Sequence, residues 1–176
     1  MCGIAGYFSK NDNLPAKQIL KEMQKFLVTR GPDAQGEYFH KSYGVIHTRL
    51  SIIAIENGNQ PIKNDKGHVL VSNGEVYNDL EIRSQSETEA YASDSDNESI
   101  LTLYGLYGLG FVRHIRGMYS FALYDSKQQE VFLARDRAGE KPLFYFMNKE
   151  TLYFASELKA LLSNPSLPRN IDPESF

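Results

Sequence analysis

The sequence predicts an α+β domain in which helices cover the outer faces of packed antiparallel sheets. Short β-like runs, separated by turn residues, recur through most of the 176 residues, and only two stretches have strong helical spacing of apolar side chains. Eight or more strands with two well-marked helices indicate sheets packed against each other, with the helices outside. The hydrophobic fraction of 41% and the length suffice for one domain with its own core.

The first half of the chain is predicted to run from a strand through a helix into several short strands. Residues 3–9 form a strand that holds the amino terminus inside a sheet, and a turn follows at 11–13. Residues 15–29 space their apolar side chains as in an outer helix, which begins at Pro15 and is broken by Arg30-Gly31-Pro32-Asp33. The next segments are β-like runs at 37–40 and 43–48 around a turn at 41–42, a run at 49–55, a polar loop at 56–60, a loop or edge strand at 61–67, and a strand at 68–72 ended by an Asn73-Gly74 turn.

The second half is predicted to hold one longer helix and two hairpins. Ser95 and Glu98 have the spacing of a capping box, which would open a helix over 96–108. Its inner side would carry Ile100, Leu101, Leu103, Tyr104 and Tyr107. The other predicted elements are a short helix with a connector in 76–92, hairpins of 118–125 with 130–135 and of 142–147 with 151–155, a helix at 157–162, and a polar linker after Asn164.

Composition excludes several classes of protein. A net charge of −3 gives no electrostatic reason to bind nucleic acid or an anionic membrane. A single cysteine excludes an internal disulfide and a cysteine-based zinc site, and the four histidines form no cluster with metal-ligand spacing, so no metal is expected. The first residues lack the pattern of a signal peptide, and no apolar run is long enough to span a bilayer, so a cytoplasmic protein is expected.

Cys2 is the residue around which a chemical function can be built. Removal of Met1 would leave a thiol and a free α-amine on one residue. An α-amine has an ordinary pKa of about 8, so it can act as the general base for its own nucleophile at neutral pH. Without that removal, the nitrogen lies in a peptide bond and cannot be the base. The alternative is that Cys2 is only a small buried hydrophobic residue near a chain end.

Three further positions could complete a site. Asn73 and Gly74 could present a side-chain amide and a backbone N–H to an oxyanion, although an Asn-Gly pair is also an ordinary turn. Arg49 could clamp a substrate carboxylate, or it could form an ion pair in the core, which its position alone favours. Asp96 could hold a substrate ammonium, or it could simply cap a helix. Together an arginine and an aspartate would recognise the head of a free α-amino acid.

The chain resembles the glutaminase domain of class II glutamine amidotransferases, in the asparagine synthetase branch. The resemblance covers nearly the whole chain, and its motifs occur in the family order. They are Met1-Cys2-Gly3-Ile4, Arg30-Gly31-Pro32-Asp33 with Gly36, Arg49-Leu50-Ser51-Ile52, Gln60-Pro61, Asn73-Gly74-Glu75-Val76-Tyr77-Asn78, Ser95-Asp96, 117–122, Arg135-Asp136-Arg137-Ala138-Gly139 with Lys141-Pro142-Leu143, and 155–161.

The resemblance implies a four-layer α/β/β/α sandwich, the N-terminal nucleophile hydrolase fold, and a glutaminase reaction through a thioester on Cys2. It implies Asn73 and Gly74 as the oxyanion hole. It also implies a glutamine pocket in which Arg49 binds the carboxylate, backbone groups of Leu50, Ser51, Ile52 and Ile53 line the pocket, and Glu75 and Asp96 hold the α-amine. Arg30, Asp33, Arg135 and Asp136 also match, as buried ion-pair scaffolding or as residues that face a partner domain.

The resemblance also implies what the domain works with. Residues 1–163 are expected to form the glutaminase domain and 164–176 to begin a connection to a carboxy-terminal synthetase domain or subunit. No cofactor is expected in this domain; ATP and magnesium would belong to the synthetase domain. The ammonia would amidate aspartate. The alternative functions are amidation of a different acceptor and sensing of glutamine without hydrolysis. A homodimer is a possible assembly.

Overall fold

Nine strands form two antiparallel sheets in the computed structural model, which describes residues 1–10, 16–86 and 91–170. The five-stranded sheet has the order β2-β3-β1-β9-β8, and the four-stranded sheet has the order β4-β5-β6-β7. The strands of the first sheet are β1 (Gly3–Ser9), β2 (Ala34–His40), β3 (Tyr43–Arg49), β8 (Phe144–Met147) and β9 (Thr151–Ala155). Those of the second are β4 (Ile62–Lys63), β5 (His68–Val76), β6 (Gly117–Asp125) and β7 (Glu130–Arg135).

The helices lie on the outer faces of the two sheets. The described α-helices are α1 (Ala16–Lys25), α2 (Asp79–Gln85), α3 (Ser99–Tyr107) and α4 (Leu158–Leu162), with 3-10 turns at Asp96–Glu98 and Gly108–His114. Leu20 and Met23 of α1 and Leu161 of α4 pack on one face of the five-stranded sheet. Ile82 of α2 and Ile100 of α3 pack on the outer face of the four-stranded sheet.

A third apolar cluster lies between the sheets and joins them. It combines Ile4 and Val45 of the five-stranded sheet with Val71 and Ala122 of the four-stranded sheet, and the Tyr43 and Tyr124 rings stack there with centroids 4.4 Å apart. The order of layers is therefore helix, sheet, sheet, helix. The predicted α+β sandwich is confirmed, and central β1 is buried on both faces, which positions the residue that precedes it.

Most predicted elements are confirmed with small shifts of their ends. The strand at 3–9, the turn at 41–42, both hairpins, the edge strand and the short helices are present. The α1 helix ends at Lys25, and the turns of 26–30 continue it towards Gly31. The first strand of the 41–42 hairpin begins at Ala34, three residues earlier than predicted.

Two strand predictions are wrong. Asn73-Gly74 does not turn: β5 continues to Val76, and Asn73 and Gly74 pair with Ser120 and Tyr119 of β6. The run at 49–55 forms no strand after Arg49, and Ile52 and Ile55 are 64% and 67% exposed. The cause is Arg49 itself, whose guanidinium donates hydrogen bonds to carbonyls of the following residues and so holds them in a loop.

The predicted capping box is also wrong. The Glu98 carboxylate accepts hydrogen bonds from the N–H groups of Ala92 and Ser93, at 2.7 and 2.9 Å, and Ser95 makes no side-chain capping bond. Glu98 therefore closes the preceding loop. On α3, the predicted inner residues Ile100, Leu101 and Leu103 are buried, but Tyr107 is 46% exposed because it lies at the carboxyl end and stacks on His114.

Some predictions fall outside the described residues. These are the turn at 11–13, the helix start at Pro15, and the last six residues of the linker. Within the described part of that segment, Leu167 is 6% exposed and packs with the apolar cluster of α1 and α4. The boundary at 163 stays a prediction.

Candidate active site

The Cys2 thiol lies at one end of the five-stranded sheet, directly before the central strand β1. Its Sγ accepts a hydrogen bond from the Leu50 N–H at 3.4 Å and can donate one to the Leu50 carbonyl at 3.7 Å. Cys2 is half-buried, and it borders a cavity. The alternative of a fully buried structural cysteine is therefore wrong, because the sulfur faces open space as well as protein.

Arg30 and Asp33 hold the backbone on either side of the thiol. The Arg30 Nε donates to the Cys2 carbonyl at 2.9 Å, and its guanidinium forms an ion pair with Glu157. The Asp33 carboxylate accepts the Ser51 N–H at 2.7 Å. The predicted ion-pair scaffolding therefore holds for Arg30, whereas Asp33 is exposed and binds a backbone N–H.

Asn73 has a buried side-chain amide whose N–H groups donate no hydrogen bond to a described residue. It is 1% exposed, its Nδ2 has no partner among the described residues, and it borders the same cavity as Cys2. A buried polar group without a partner is costly, and such groups concentrate at functional sites. The Nδ2 group is therefore a donor available to a ligand.

Gly74 cannot carry a side chain where it stands. A Cβ built on it would lie 2.0 Å from the Met118 carbonyl oxygen of β6, and its φ is +152°. The glycine thus lets β5 and β6 approach closely next to Asn73, and Gly74 borders the cavity as well.

Asp96 closes another wall of the cavity. One carboxylate oxygen accepts the Val76 N–H at 2.6 Å, and the other accepts the Asn97 side-chain amide at 3.0 Å. Burial raises the pKa of Asp96 above its ordinary value; the Val76 N–H opposes this rise, and the negative charges of Asp79 and Glu75 add to it. A bound cation would offset the unfavourable burial of this carboxylate.

Arg49 organises the loop at 50–59. Its Nη1 donates to the Ile55 carbonyl at 3.2 Å and to Asn59 Oδ1 at 3.1 Å, and its Nη2 donates to the carbonyls of Ile53 and Ala54 at 3.0 and 2.6 Å. No carboxylate of a described residue lies within 4 Å of it, so the predicted core ion pair is wrong. The guanidinium still borders the cavity.

One cavity joins nearly all the predicted site residues. Its volume is ≈ 70 Å³, several times the ~10–15 Å³ that one water needs. Of the ten predicted residues, Ser51 alone is absent from the walls, and its N–H donates to the Asp33 carboxylate. The predicted residues that form the walls are Cys2, Arg49, Leu50, Ile52, Ile53, Asn73, Gly74, Glu75 and Asp96.

Sequence reasoning missed five polar residues of these walls, which are Gln60, Ser72, Ser95, Asn97 and Lys141. Gln60 is buried and its Oε1 accepts the Ser72 N–H at 2.6 Å, which fixes β5 beside Asn73. Asn97 donates from one amide nitrogen to Asp96 and to the Gly74 carbonyl. Lys141 is 9% exposed and reaches the same cavity. Gln60 and Lys141 stand in motifs of the resemblance, each next to a proline, but no local pattern assigned them a role.

The described residues contain no cluster of three or more histidine, cysteine, aspartate or glutamate side chains arranged to hold a metal ion. None of their helices is long and apolar enough to cross a membrane.

Comparison with known proteins gives a consistent picture. The glutamine amidotransferase domain family matches residues 1–176. A glutamine-hydrolysing asparagine synthetase of Bacillus subtilis is 42% identical over 98% of this chain and 24% of its own length. Asparagine synthetase B of Escherichia coli is 38% identical over 92% of this chain and 30% of its own length. An amidase of Gibberella zeae is 36% identical over 93% of this chain and 26% of its own length. The chain spans about a quarter to a third of the length of these relatives.

Solved structures share the fold at lower sequence identity. The glutamine phosphoribosylpyrophosphate amidotransferase of B. subtilis superposes with a TM-score of 0.73 at 22% identity, over 92% of this chain and 43% of that one. An allosteric regulatory enzyme of purine biosynthesis gives a TM-score of 0.75 at 20% identity, with the same coverage of both chains. The two sheets and their helical layers are thus those of this structural group.

Proposed function

The chain belongs to the glutamine amidotransferase domain family, and from that premise we propose that it hydrolyses L-glutamine to glutamate and ammonia through a thioester on Cys2. The supporting observation is the shared cavity, where the Cys2 thiol, the unpartnered amide of Asn73 and the carboxylate of Asp96 meet. A nucleophile, an oxyanion donor and an ammonium acceptor are the groups that this reaction needs.

The reaction begins with a proton transfer inside Cys2. After Met1 is removed, the α-amine takes the thiol proton, and the sulfur attacks the side-chain amide carbon of glutamine. The Asn73 amide and the Gly74 N–H stabilise the oxyanion of the tetrahedral intermediate. The carbon–nitrogen bond then breaks, and the departing nitrogen takes the proton back from the amine and leaves as ammonia. Water hydrolyses the thioester, releases glutamate and restores the thiol.

The substrate's α-amino acid head is held at the other end of the cavity. The glutamine ammonium faces Asp96 and Glu75, and this placement is favourable because it neutralises a carboxylate that is costly to bury. The glutamine carboxylate faces Arg49. Its Nη1 and Nη2 groups already donate to four acceptors of the 50–59 loop, so the glutamine carboxylate binds the Nε N–H or replaces one of those acceptors.

The ammonia is passed to an ATP-dependent synthetase domain, with aspartate as its acceptor and asparagine as the product. The support is that two relatives at 38–42% identity are named glutamine-hydrolysing asparagine synthetases and are three to four times longer than this chain. A different acceptor is the second candidate, because a relative of similar identity is named an amidase. If aspartate is the acceptor, the synthetase domain is the partner of this chain, and it is also the domain that would bind ATP and magnesium.

The test uses the chain with Met1 removed. We expect glutamate release from glutamine, a single covalent adduct on Cys2 with a glutamine-analogue electrophile, and loss of both in Cys2→Ala. The matched control is Ser163→Ala, whose hydroxyl bonds only within the last helical turn and is expected to leave turnover unchanged. Turnover that persists in Cys2→Ala contradicts the proposal. Glutamine binding without glutamate release in the unaltered chain would instead support the silent sensing module.

A further inference from the structure

Lys141 is a buried cation that faces the candidate active site. It is 9% exposed and borders the cavity with Cys2. Its backbone is fixed on both sides, because its N–H donates to the Asp136 carboxylate at 3.0 Å and its carbonyl accepts the Arg135 Nε at 2.8 Å. No carboxylate of a described residue lies within 4 Å of its Nζ. Its charge therefore acts on whatever ionisable group the cavity brings near.

The candidate for that group is the nitrogen of Cys2, because Met1 and Cys2 border the same cavity as Lys141. The Met1 Sδ lies 3.6 Å from Lys141 Nζ and 3.9 Å from Arg30 Nη2, so the side chain that leaves with Met1 contacts both cations. The Arg30 charge is offset by its ion pair with Glu157. The Lys141 charge is offset by no ion pair with a described residue. Its Nζ contacts the Met1 side chain, which departs when the Cys2 amine is formed.

The remaining charges around this amine are already engaged or belong to the substrate's end of the cavity. The Asp33 carboxylate binds the Ser51 N–H, and the Asp136 carboxylate binds the N–H groups of residues 140 and 141. Arg49 donates to its loop. The charged groups on the cavity walls or bonded to the residues around Cys2 are Arg30, Asp33, Arg49, Glu75, Asp96, Asp136, Lys141 and Glu157.

We propose that Lys141 is a positioning residue that keeps the α-amine of processed Cys2 unprotonated near neutral pH, ready to accept the thiol proton. The proposal rests on the glutaminase function proposed above. A neighbouring positive charge disfavours the protonated amine and favours the thiolate, so it supports both partners of the proton transfer. For a cation on the wall of the same partly solvated cavity, the effect amounts to about half to one pH unit in the midpoint of the amine's titration.

The first test observes the amine directly. Because Cys2 is the only cysteine in the sequence, labelling with ¹⁵N-cysteine gives a single amine signal whose chemical shift can be followed against pH in the Met1-free chain. We expect the midpoint to move up by about 0.5–1 pH unit in Lys141→Met and to stay within roughly 0.2 unit in Lys141→Arg. Lys149→Met, at an exposed turn, is the matched control and should leave the midpoint unchanged.

The second test follows turnover. The acidic limb of kcat/KM for glutamine should move to higher pH in Lys141→Met, with a loss of about 3–10-fold at pH 6 that disappears near pH 9. A midpoint and a limb that stay unchanged in Lys141→Met overturn the proposal. A higher KM with an unchanged limb also overturns it, because Lys141 would then bind substrate. Lys141→Gln is measured in the same way if Lys141→Met does not fold.

The two proposals fail in different ways. The ¹⁵N titration needs no turnover, so a shifted midpoint in a chain that releases no glutamate supports the role of Lys141 and contradicts the glutaminase function. An unshifted midpoint in a chain that does release glutamate contradicts the role of Lys141 alone.

Discussion

At the scale of single residues, the site depends on polar groups that the fold leaves without partners. Asn73 is buried, and its Nδ2 donates to no described residue. The same strand places Ser72 next to it with its N–H bound to Gln60. A folded protein keeps an unsatisfied buried donor at a cost of about 1–3 kcal/mol unless a ligand uses it. The Asn73 amide is therefore pre-organised for an oxyanion.

Asn73→Ala tests that role. Removing one oxyanion donor should lower kcat for glutamine hydrolysis about 10²–10³-fold, with a small change in KM, because the donor acts on the transition state more than on bound glutamine. Stability should fall little, since the lost Nδ2 makes no hydrogen bond in the described structure. The measurements are steady-state kinetics and urea unfolding.

A second asparagine provides the control. Asn64 lies at the far end of β5, where its Oδ1 accepts the His68 N–H at 3.0 Å. Asn64→Ala should lose about 1 kcal/mol of stability and keep kcat. Equal kcat values for Asn73→Ala and the unaltered chain would remove Asn73 from the oxyanion hole.

At the scale of elements, the close approach of β5 and β6 shapes the cavity. Gly74 pairs with Tyr119, and any Cβ at this position would overlap the Met118 carbonyl at 2.0 Å. Backbone atoms cannot yield as a flexible side chain can, so the pairing tolerates glycine alone. The Asn73-Gly74 pair thus allows two strands to pack closely here, although an Asn-Gly pair usually indicates a turn.

Gly74→Ala should separate β5 from β6 locally. We expect a loss of roughly 2 kcal/mol or more in the free energy of unfolding, from the backbone overlap and the glycine conformation, together with a large loss of glutaminase activity. Differential scanning calorimetry and turnover measure the two effects.

Gly105→Ala is the matched control, for which the expected change in the free energy of unfolding has the opposite sign. Gly105 lies inside α3, and a Cβ there would meet only the Lys66 Nζ at 3.5 Å. Alanine should raise stability by up to about 1 kcal/mol because it favours the helix. If both substitutions had the same effect, the close strand approach would not be the cause.

At the scale of the whole molecule, His47 connects the two sheets. It lies on β3 of the five-stranded sheet, is 1% exposed, and its Nε2 is 3.2 Å from the Ser72 carbonyl of the four-stranded sheet. Burial lowers the pKa of His47 to about 4; the Ser72 carbonyl opposes this shift, and the Arg49 charge adds to it. The sheets therefore pack around a neutral imidazole.

This arrangement predicts that acid weakens the sandwich. The unfolded chain binds a proton on His47 near its ordinary pKa of about 6.5, whereas the folded chain does so only near 4, so stability falls as the pH drops through that window. The expected loss from this residue between pH 7.5 and 4.5 is roughly 2–3 kcal/mol. Urea unfolding at both values measures it.

His47→Gln separates this effect from other titrations. Glutamine keeps a donor for the Ser72 carbonyl but binds no proton, so the pH dependence of stability should be smaller than in the unaltered chain by the same 2–3 kcal/mol, roughly. Parallel pH dependences in the two proteins would assign the acid sensitivity to other groups.

The sequence by itself determined the layered α+β class and the residues that could be chemical. Alternating apolar runs, hairpin turns and the helical spacing of 15–29 act locally, so they can be read without coordinates. The thiol and potential amine of Cys2 also belong to one residue. The residue types also suggested Arg49, Asn73, Gly74 and Asp96, the resemblance added 50–53 and Glu75, and the fold brings all of these except Ser51 to one cavity with Cys2.

Only the tertiary structure decided what neighbouring elements do to a residue. Gly74 is extended because it pairs with β6, and a Cβ there would lie 2.0 Å from the Met118 carbonyl oxygen. Arg49 holds its own loop because that loop supplies four acceptors, and Lys141 contacts Met1 from a segment distant in the sequence. The spacing of residues along the sequence does not reveal these contacts, because they depend on how the chain packs in space. The candidate side chains could therefore be identified from the sequence, whereas the residues that contact them could not.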